Sequence, residues 1–275
     1  MRPEDYPPQD AFTEIGAKYH ARILGESENV PTVEWQHGAD PYQSVALYPA
    51  EAPRGDVVIL LHGGGWTNGY KEWMAFCAPA LTERGITAAS LGYRLAPAHT
   101  WPACFEDVAD GVAQVASRAA EFGANPERIF ISGHSAGGHL ASLLALRRDW
   151  QAARGLAGDV VKGALPISGT YLFGPDSGLS MRPRFLGAQD SGNETAASPM
   201  THVAPGAPPF LIAWGENDFP HLRVQGERFA EALRAAGGRV ATQVLAGADH
   251  LGASYASAEP GGAWVTAADR FISRT

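Results

Sequence analysis

Cysteine is scarce in this 275-residue chain. Cys77 and Cys104 are the only two, so at most one bridge can form and a small disulfide-stapled scaffold is excluded. Both lie in helix-like apolar patterns and are expected to be buried thiols. Basic residues are also short: 21 Lys and Arg face 29 Asp and Glu, a net charge of −8, with no basic run beyond a pair such as Arg147-Arg148. Nucleic acids and anionic membranes call for a basic stripe, so neither is expected as a partner. Long apolar runs are missing as well. The longest aliphatic one, Val57–Leu61, is far below the ~20 residues of a membrane span. Pro3, Glu4, Asp5, Pro7 and Pro8 stand where a signal peptide would carry its apolar region. A soluble cytoplasmic protein is expected.

What is present builds a core. The apolar share is 45% and the charged share 18%, while 32 Gly and 20 Pro make the chain rich in turns without marking it as low-complexity. From residue 57 onward, short apolar runs alternate with amphipathic stretches. Strands are expected at Val57–Leu61, Thr87–Leu91, Arg128–Ser132, Gly163–Ile167, Phe210–Trp214 and Val240–Leu245. Between and after them, helices are expected at Lys71–Arg84 (stopped by Gly85), Pro102–Phe122 (stopped by Gly123), Ala136–Arg148, 222–236 and 262–273. This is the pattern of an α/β fold, a mostly parallel central sheet with helices on both faces. Residues 31–49 read as an antiparallel hairpin at the sheet edge. No linker or repeat divides the chain, so residues 1–275 are read as one domain. Residues 1–30 and 169–208 do not fit the alternation and are expected to form a small lid.

The sharpest motif is Gly133-His134-Ser135-Ala136-Gly137-Gly138, between an expected strand and an expected helix. A nucleophile there sits on a strained turn that lifts its hydroxyl out of the fold, and its neighbours must be small because strand and helix pack closely. His62-Gly63-Gly64-Gly65-Trp66 follows the first buried strand. Its glycines let backbone N–H groups approach a substrate oxygen, and with Ala136 N–H they suggest an oxyanion hole from Gly64, Gly65 and Ala136. A serine nucleophile needs a base and an orienting carboxylate, in the chain order Ser, acid, His. His250 is the only histidine beyond Val240–Leu245, and it stands in an expected loop rich in small residues, as a close approach requires. Asp218 is preferred as the acid, with Glu216 and Asp249 as competitors. His221, three residues past Asp218, is a candidate substrate contact, and Trp66, Phe173, Phe185 and Phe219 are candidate walls of an apolar pocket. No metal-ligand spacing is present, and no cofactor is expected.

With these motifs in view, the chain resembles the α/β-hydrolases and, within that fold, the arylformamidase-like (kynurenine formamidase-like) esterases. The resemblance spans residues 17–264. It rests on His62–Trp66, Tyr93-Arg94-Leu95-Ala96-Pro97, Phe122–Ile129, Ser132–Ala141, Asp149-Trp150, Pro166–Gly169 and Ser198-Pro199. Tyr93–Pro97 is equally similar to the hormone-sensitive-lipase-like esterases. The resemblance implies Ser135, Asp218 and His250 as a catalytic triad acting on formamides or small esters. Gly65 stands where formamidases often carry tyrosine, and Gly138 where they often carry alanine; both departures turn the expectation away from N-formylkynurenine.

The expectation is therefore a serine carboxylesterase for small short-acyl or aromatic esters, working through an acyl-enzyme. An arylformamidase is the alternative, and a non-catalytic ligand-binding module on a hydrolase scaffold a remote third reading. The expected partner is a small-molecule ester or formamide, with a homodimer left open.

Overall fold

Runs of β-branched and aliphatic residues put most strands inside the molecule, covered on both faces. The computed structural model describes residues 1–174, 184–188 and 191–275. Its strands are β1 (Val33–Gln36), β2 (Ser44–Tyr48), β3 (Val57–Leu61), β4 (Thr87–Leu91), β5 (Ile129–His134), β6 (Val161–Ile167), β7 (Phe210–Gly215) and β8 (Val240–Leu245). They form one sheet in the order β1-β2-β4-β3-β5-β6-β7-β8. The β1–β2 hairpin joins antiparallel; every pairing from β4 to β8 is parallel. After β3 the chain turns back to lay β4 on one side, then crosses to lay β5 on the other. The carboxyl ends of β3 and β5 therefore flank a topological switch point, the place where open α/β sheets bind ligands. The glycine run and Ser135 follow those two strands.

The helices are α1 (Glu14–Ser27), α2 (Ala78–Thr82), α3 (Ala103–Arg118), α4 (Ala136–Leu146), α5 (Asp149–Ala153), α6 (Asn193–Ala197), α7 (Pro220–Ala235), α8 (His250–Ala256) and α9 (Ala263–Arg274). Helix α4 is buried along nearly its whole length, which fits its apolar sequence and its place between β3, β5 and β6 on one face of the sheet. Beyond α3, a 3-10 turn at Ala119–Phe122 ends on Gly123 in the left-handed region, as its sequence position suggested. None of the helices among the described residues is long and apolar enough to cross a membrane.

Two expectations change. The helix expected at Lys71–Arg84 is a 3-10 segment, Lys71–Cys77, followed by the short α2. Pro79 lacks the N–H that a continuous helix would need there. The small-residue loop expected around His250 is instead a helix, α8, capped by Asp249, whose Oδ1 accepts from Gly252 N–H at 2.7 Å.

The segments expected as a lid take two forms. Residues 1–30 comprise an extended stretch and α1, which lies against the 3-10 segment at Lys71–Cys77. Within 169–208, residues 175–183 and 189–190 lie outside the described residues, while Tyr171, Phe173, Phe185 and Leu186 are buried in the core.

Candidate active site

Ser135 stands between β5 and α4, with φ 56° and ψ −116°. A non-glycine residue held in so sparsely populated a region costs roughly 1–3 kcal/mol, and the surroundings enforce it. Ser135 N–H donates to the Ile167 carbonyl at 2.9 Å. Two residues on, a Cβ on Gly137 would lie 1.9 Å from the Leu61 carbonyl oxygen, so α4 can approach β3 only with glycine there.

Three loops from different strands meet at the hydroxyl. The Ser135 hydroxyl lies 3.0 Å from His250 Nε2, placed to donate to it. His250 Nδ1–H donates to Asp218 Oδ1 at 2.9 Å. The two competing carboxylates are engaged elsewhere: Glu216 accepts from Gly247 N–H at 2.8 Å, and Asp249 caps α8. Asp218 also accepts from Phe219 N–H at 2.7 Å and from the hydroxyl of Ser168. Burial pushes its carboxyl up, but the His250 contact and these donors outweigh it and hold the group below its ordinary value.

Ser168 was not singled out from sequence. It is buried, follows β6, and has φ 51°. Its position at the carboxyl end of a parallel strand, within Ile167-Ser168-Gly169, is the signal that could have marked it. His134 also acts here. Its Nε2–H donates to the His250 carbonyl at 2.8 Å, fixing the backbone under the His250 ring. Burial and then the neighbouring His250 push its pKa down to about 3.

The glycine turn faces the same point. Gly64 and Gly65 have φ 109° and 62°, and the Gly64 carbonyl accepts from Thr67 and Asn68 N–H at 3.2 and 3.0 Å. Among the described residues, nothing accepts a hydrogen bond from Gly64, Gly65 or Ala136 N–H. A cavity of about 360 Å³ opens over Ser135, His250 and the turn. Phe12, Tyr19 and Trp73 form an aromatic side; Arg184 and Asp10, paired to each other, stand on the polar side.

The expected pocket walls lie elsewhere. Trp66, Phe173 and Phe185 are not among the residues lining this cavity. Trp66 stacks on Phe185 with centroids 4.4 Å apart and donates its Nε1–H to His139 Nδ1 at 3.1 Å. Phe173 packs 5.4 Å from Trp66, so the rings form a dry cluster behind the turn. His139 is neutral within it, donating Nε2–H to the Ala197 carbonyl at 2.6 Å, with burial pushing its pKa down to about 3. A sequence pattern marks such rings as apolar without saying which side of the loop they take. Phe219 is half exposed, its ring 5.0 Å from His250 and stacked on His221. Both flank the acid and base outside this cavity. Among the described residues no three His, Cys, Asp or Glu side chains converge as a metal would need.

Comparison with known proteins adds to this geometry. A family model described as the alpha/beta hydrolase fold matches residues 58–253. The esterase LipQ of Mycobacterium tuberculosis (strain ATCC 25618 / H37Rv) is 32% identical over 235 residues, covering 79% of this chain and 55% of that protein. The isoprenylcysteine alpha-carbonyl methylesterase ICME of Arabidopsis thaliana is 28% identical over 239 residues, 78% of this chain and 55% of its own length. The chain thus spans about half the length of these curated relatives. Among solved structures, EstE1, a thermophilic carboxylesterase from a metagenomic library, superposes with a TM-score of 0.74 at 24% identity, covering 95% of each chain. Thermogutta terrifontis esterase 2, phosphoramylated by tabun, gives 0.75 at 24% identity, covering 90% of this chain and 96% of that one. At such identity these structures speak to the fold.

Proposed function

The chain belongs to the alpha/beta hydrolase fold family, and on that premise we propose that it is a serine carboxylesterase acting on small esters with an aromatic or short acyl part. The observation that carries the proposal is the relay from Ser135 through His250 to Asp218, with links of 3.0 and 2.9 Å, beside Gly64 and Gly65, whose N–H groups have no acceptor among the described residues. In the proposed mechanism Ser135 Oγ attacks the ester carbonyl while its proton passes to His250 Nε2. Asp218 keeps the proton on Nδ1 and stabilises the imidazolium. The oxyanion is held by N–H groups of Gly64, Gly65 and Ala136, each worth roughly 3 kcal/mol in the transition state. His250 then protonates the leaving alcohol, and water repeats the sequence on the acyl-enzyme. Phe12, Tyr19 and Trp73 favour a planar, apolar group beside the carbonyl. Esterase names among the relatives support the reaction class, and the free, buried Cys77 and Cys104 suit a reducing cytoplasm.

Intact mass after incubation with a fluorophosphonate tests the nucleophile. One adduct on the wild type and none on a folded Ser135→Ala variant is expected, with turnover abolished. No adduct on the wild type would return the chain to a non-catalytic ligand-binding role. Specificity constants for a p-nitrophenyl acyl ester and N-formylkynurenine then address the leaving group; a hundredfold preference for the formamide would replace the ester reading with an arylformamidase.

A further inference from the structure

The extended segment before α1 holds the glycine turn as well as walling the cavity. The side-chain amide of Gln9 pairs with the backbone of Gly69 as a neighbouring strand would. Gln9 Nε2–H donates to the Gly69 carbonyl at 2.8 Å, and Gly69 N–H donates to Gln9 Oε1 at 2.9 Å. Nε2 also donates to the Tyr42 hydroxyl at 2.6 Å, and Oε1 also accepts from Asn68 Nδ2–H at 3.4 Å. Both donors and both lone pairs of the amide are engaged, which leaves it a single orientation.

Asn68 carries the connection inward. Its Nδ2–H donates to the Asp10 carbonyl at 2.8 Å, and its backbone N–H to the Gly64 carbonyl at 3.0 Å. The chain of hydrogen bonds from Gln9 therefore ends on Gly64, a proposed oxyanion donor. Gly69 needs an outside partner. It has φ 114°, and a Cβ there would lie 2.3 Å from His62 Nδ1, so no side chain of its own can fix it. Upstream, Pro7 and Pro8 stiffen the segment. The Tyr6 hydroxyl anchors it, accepting from the buried Lys71 Nζ at 2.8 Å and donating to Glu72 at 2.9 Å.

We infer that Gln9 is a positioning residue for the oxyanion hole: by bracing Gly69 and Asn68 it fixes the direction of the Gly64 and Gly65 N–H groups. The inference rests on the esterase reading of the site. Direction matters because such donors act on a charge that exists only in the transition state, where losing one donor costs about 10²–10³ in kcat. Gln9 touches no reacting atom, so its removal loosens the donors without deleting them.

The test compares Gln9→Ala and Gln9→Glu with the wild type. Glutamate keeps the shape and the acceptors but loses both donors. Tyr6→Phe is the control that weakens the anchor without touching Gly69. Expected for both Gln9 variants is a fall in kcat of about 10- to 100-fold, equal for p-nitrophenyl acetate and butyrate, with KM within about twofold. Inhibition by benzeneboronic acid, whose adduct with serine is tetrahedral, weakens by the same factor. Tyr6→Phe lowers the melting temperature and leaves kcat near wild type.

Unchanged kcat with KM rising by acyl length would overturn the inference and leave Gln9 as support for the wall residues that follow it, Asp10 to Thr13. A lowered melting temperature with unchanged kcat would reduce it to a structural contact. If Gln9→Ala does not fold, Gln9→Glu decides. Fluorophosphonate labelling separates the two levels of the argument. A wild type that takes no label removes the esterase reading itself. A labelled wild type with fully active Gln9 variants removes this inference alone.

Discussion

Ser168 sits in the left-handed region, buried, with its hydroxyl on the carboxylate that holds the proposed base. Strain of this kind is stored where the surroundings demand it, often at functional sites. Its neighbours fit that view: Ile167 carbonyl accepts from Ser135 N–H, and Ser168 N–H donates to the Ala213 carbonyl at 2.8 Å. One dipeptide thus ties the turn at Ser135 to the strand that precedes Asp218. Ser168→Gly relieves the strained φ and deletes the hydroxyl, whereas Ser168→Ala deletes the hydroxyl and keeps the strain. Both should lose about tenfold in kcat/KM, the scale of one hydrogen bond to a charged group, while only the glycine variant keeps or gains stability. With a donor gone, one of the contacts that hold the Asp218 carboxyl below its ordinary value is lost, so that carboxyl should move up. Thermal melts and a pH–rate profile check this; activity that simply follows stability would leave Ser168 a structural residue. Asp218→Asn should cost about 10⁴ in rate, because the amide favours the wrong imidazole tautomer.

The strand–turn–helix unit of β5 and α4 and the glycine turn after β3 both need glycine, for different reasons. Gly137 is a matter of space. Its missing Cβ would meet the Leu61 carbonyl at 1.9 Å, and backbone on both sides leaves no flexible partner to yield. Gly137→Ala should therefore destabilise by ~3 kcal/mol or more through overpacking, read as a lower urea midpoint. Gly65 is a matter of direction. No atom lies within 4 Å of its would-be Cβ, but its φ is 62°. Gly65→Ala should fold at a cost of ~1 kcal/mol and still lose rate, because the turn re-aims its N–H. A Gly65→Ala variant at full activity would remove Gly65 from the proposed oxyanion hole.

For the molecule as a whole, buried neutral histidines set the response to acid. Burial pushes the pKa of His62 down to about 4 and those of His134 and His139 down to about 3. Unfolded, each titrates near 6.5. Between those values the unfolded chain binds more protons than the native one, so stability rises with pH there. Their contribution is complete above about pH 6.5 and is lost as pH falls toward 4 and below. Urea midpoints measured from pH 8 to pH 4 should stay level and then fall, with these three histidines adding up to three protons to the slope. His139→Gln, which can still serve Trp66 and Ala197, should remove one proton from that slope; an unchanged slope would mean that His139 is not neutral in the fold.

The alternation of apolar runs and amphipathic stretches was enough to specify an α/β sheet, because periodicity and β-branching are local properties. The motifs around Ser135 and the three glycines were legible for a related reason: a strained turn and a close backbone approach restrict which residues can stand there. His250 followed from its place after β8. Asp218 was preferred over Glu216 and Asp249 from the sequence, and the packing of β7 against β8 brings it beside the imidazole. Ser168 left only its place at the end of β6 as a signal, and Gln9 and the inward packing of Trp66, Phe173 and Phe185 lay beyond sequence reading. Each acts through partners dozens of residues away, and such partners exist only once the sheet has brought the loops together. Sequence determined the chemistry available to this chain; tertiary structure decided which groups face it, because facing is a relation between elements that no local pattern encodes.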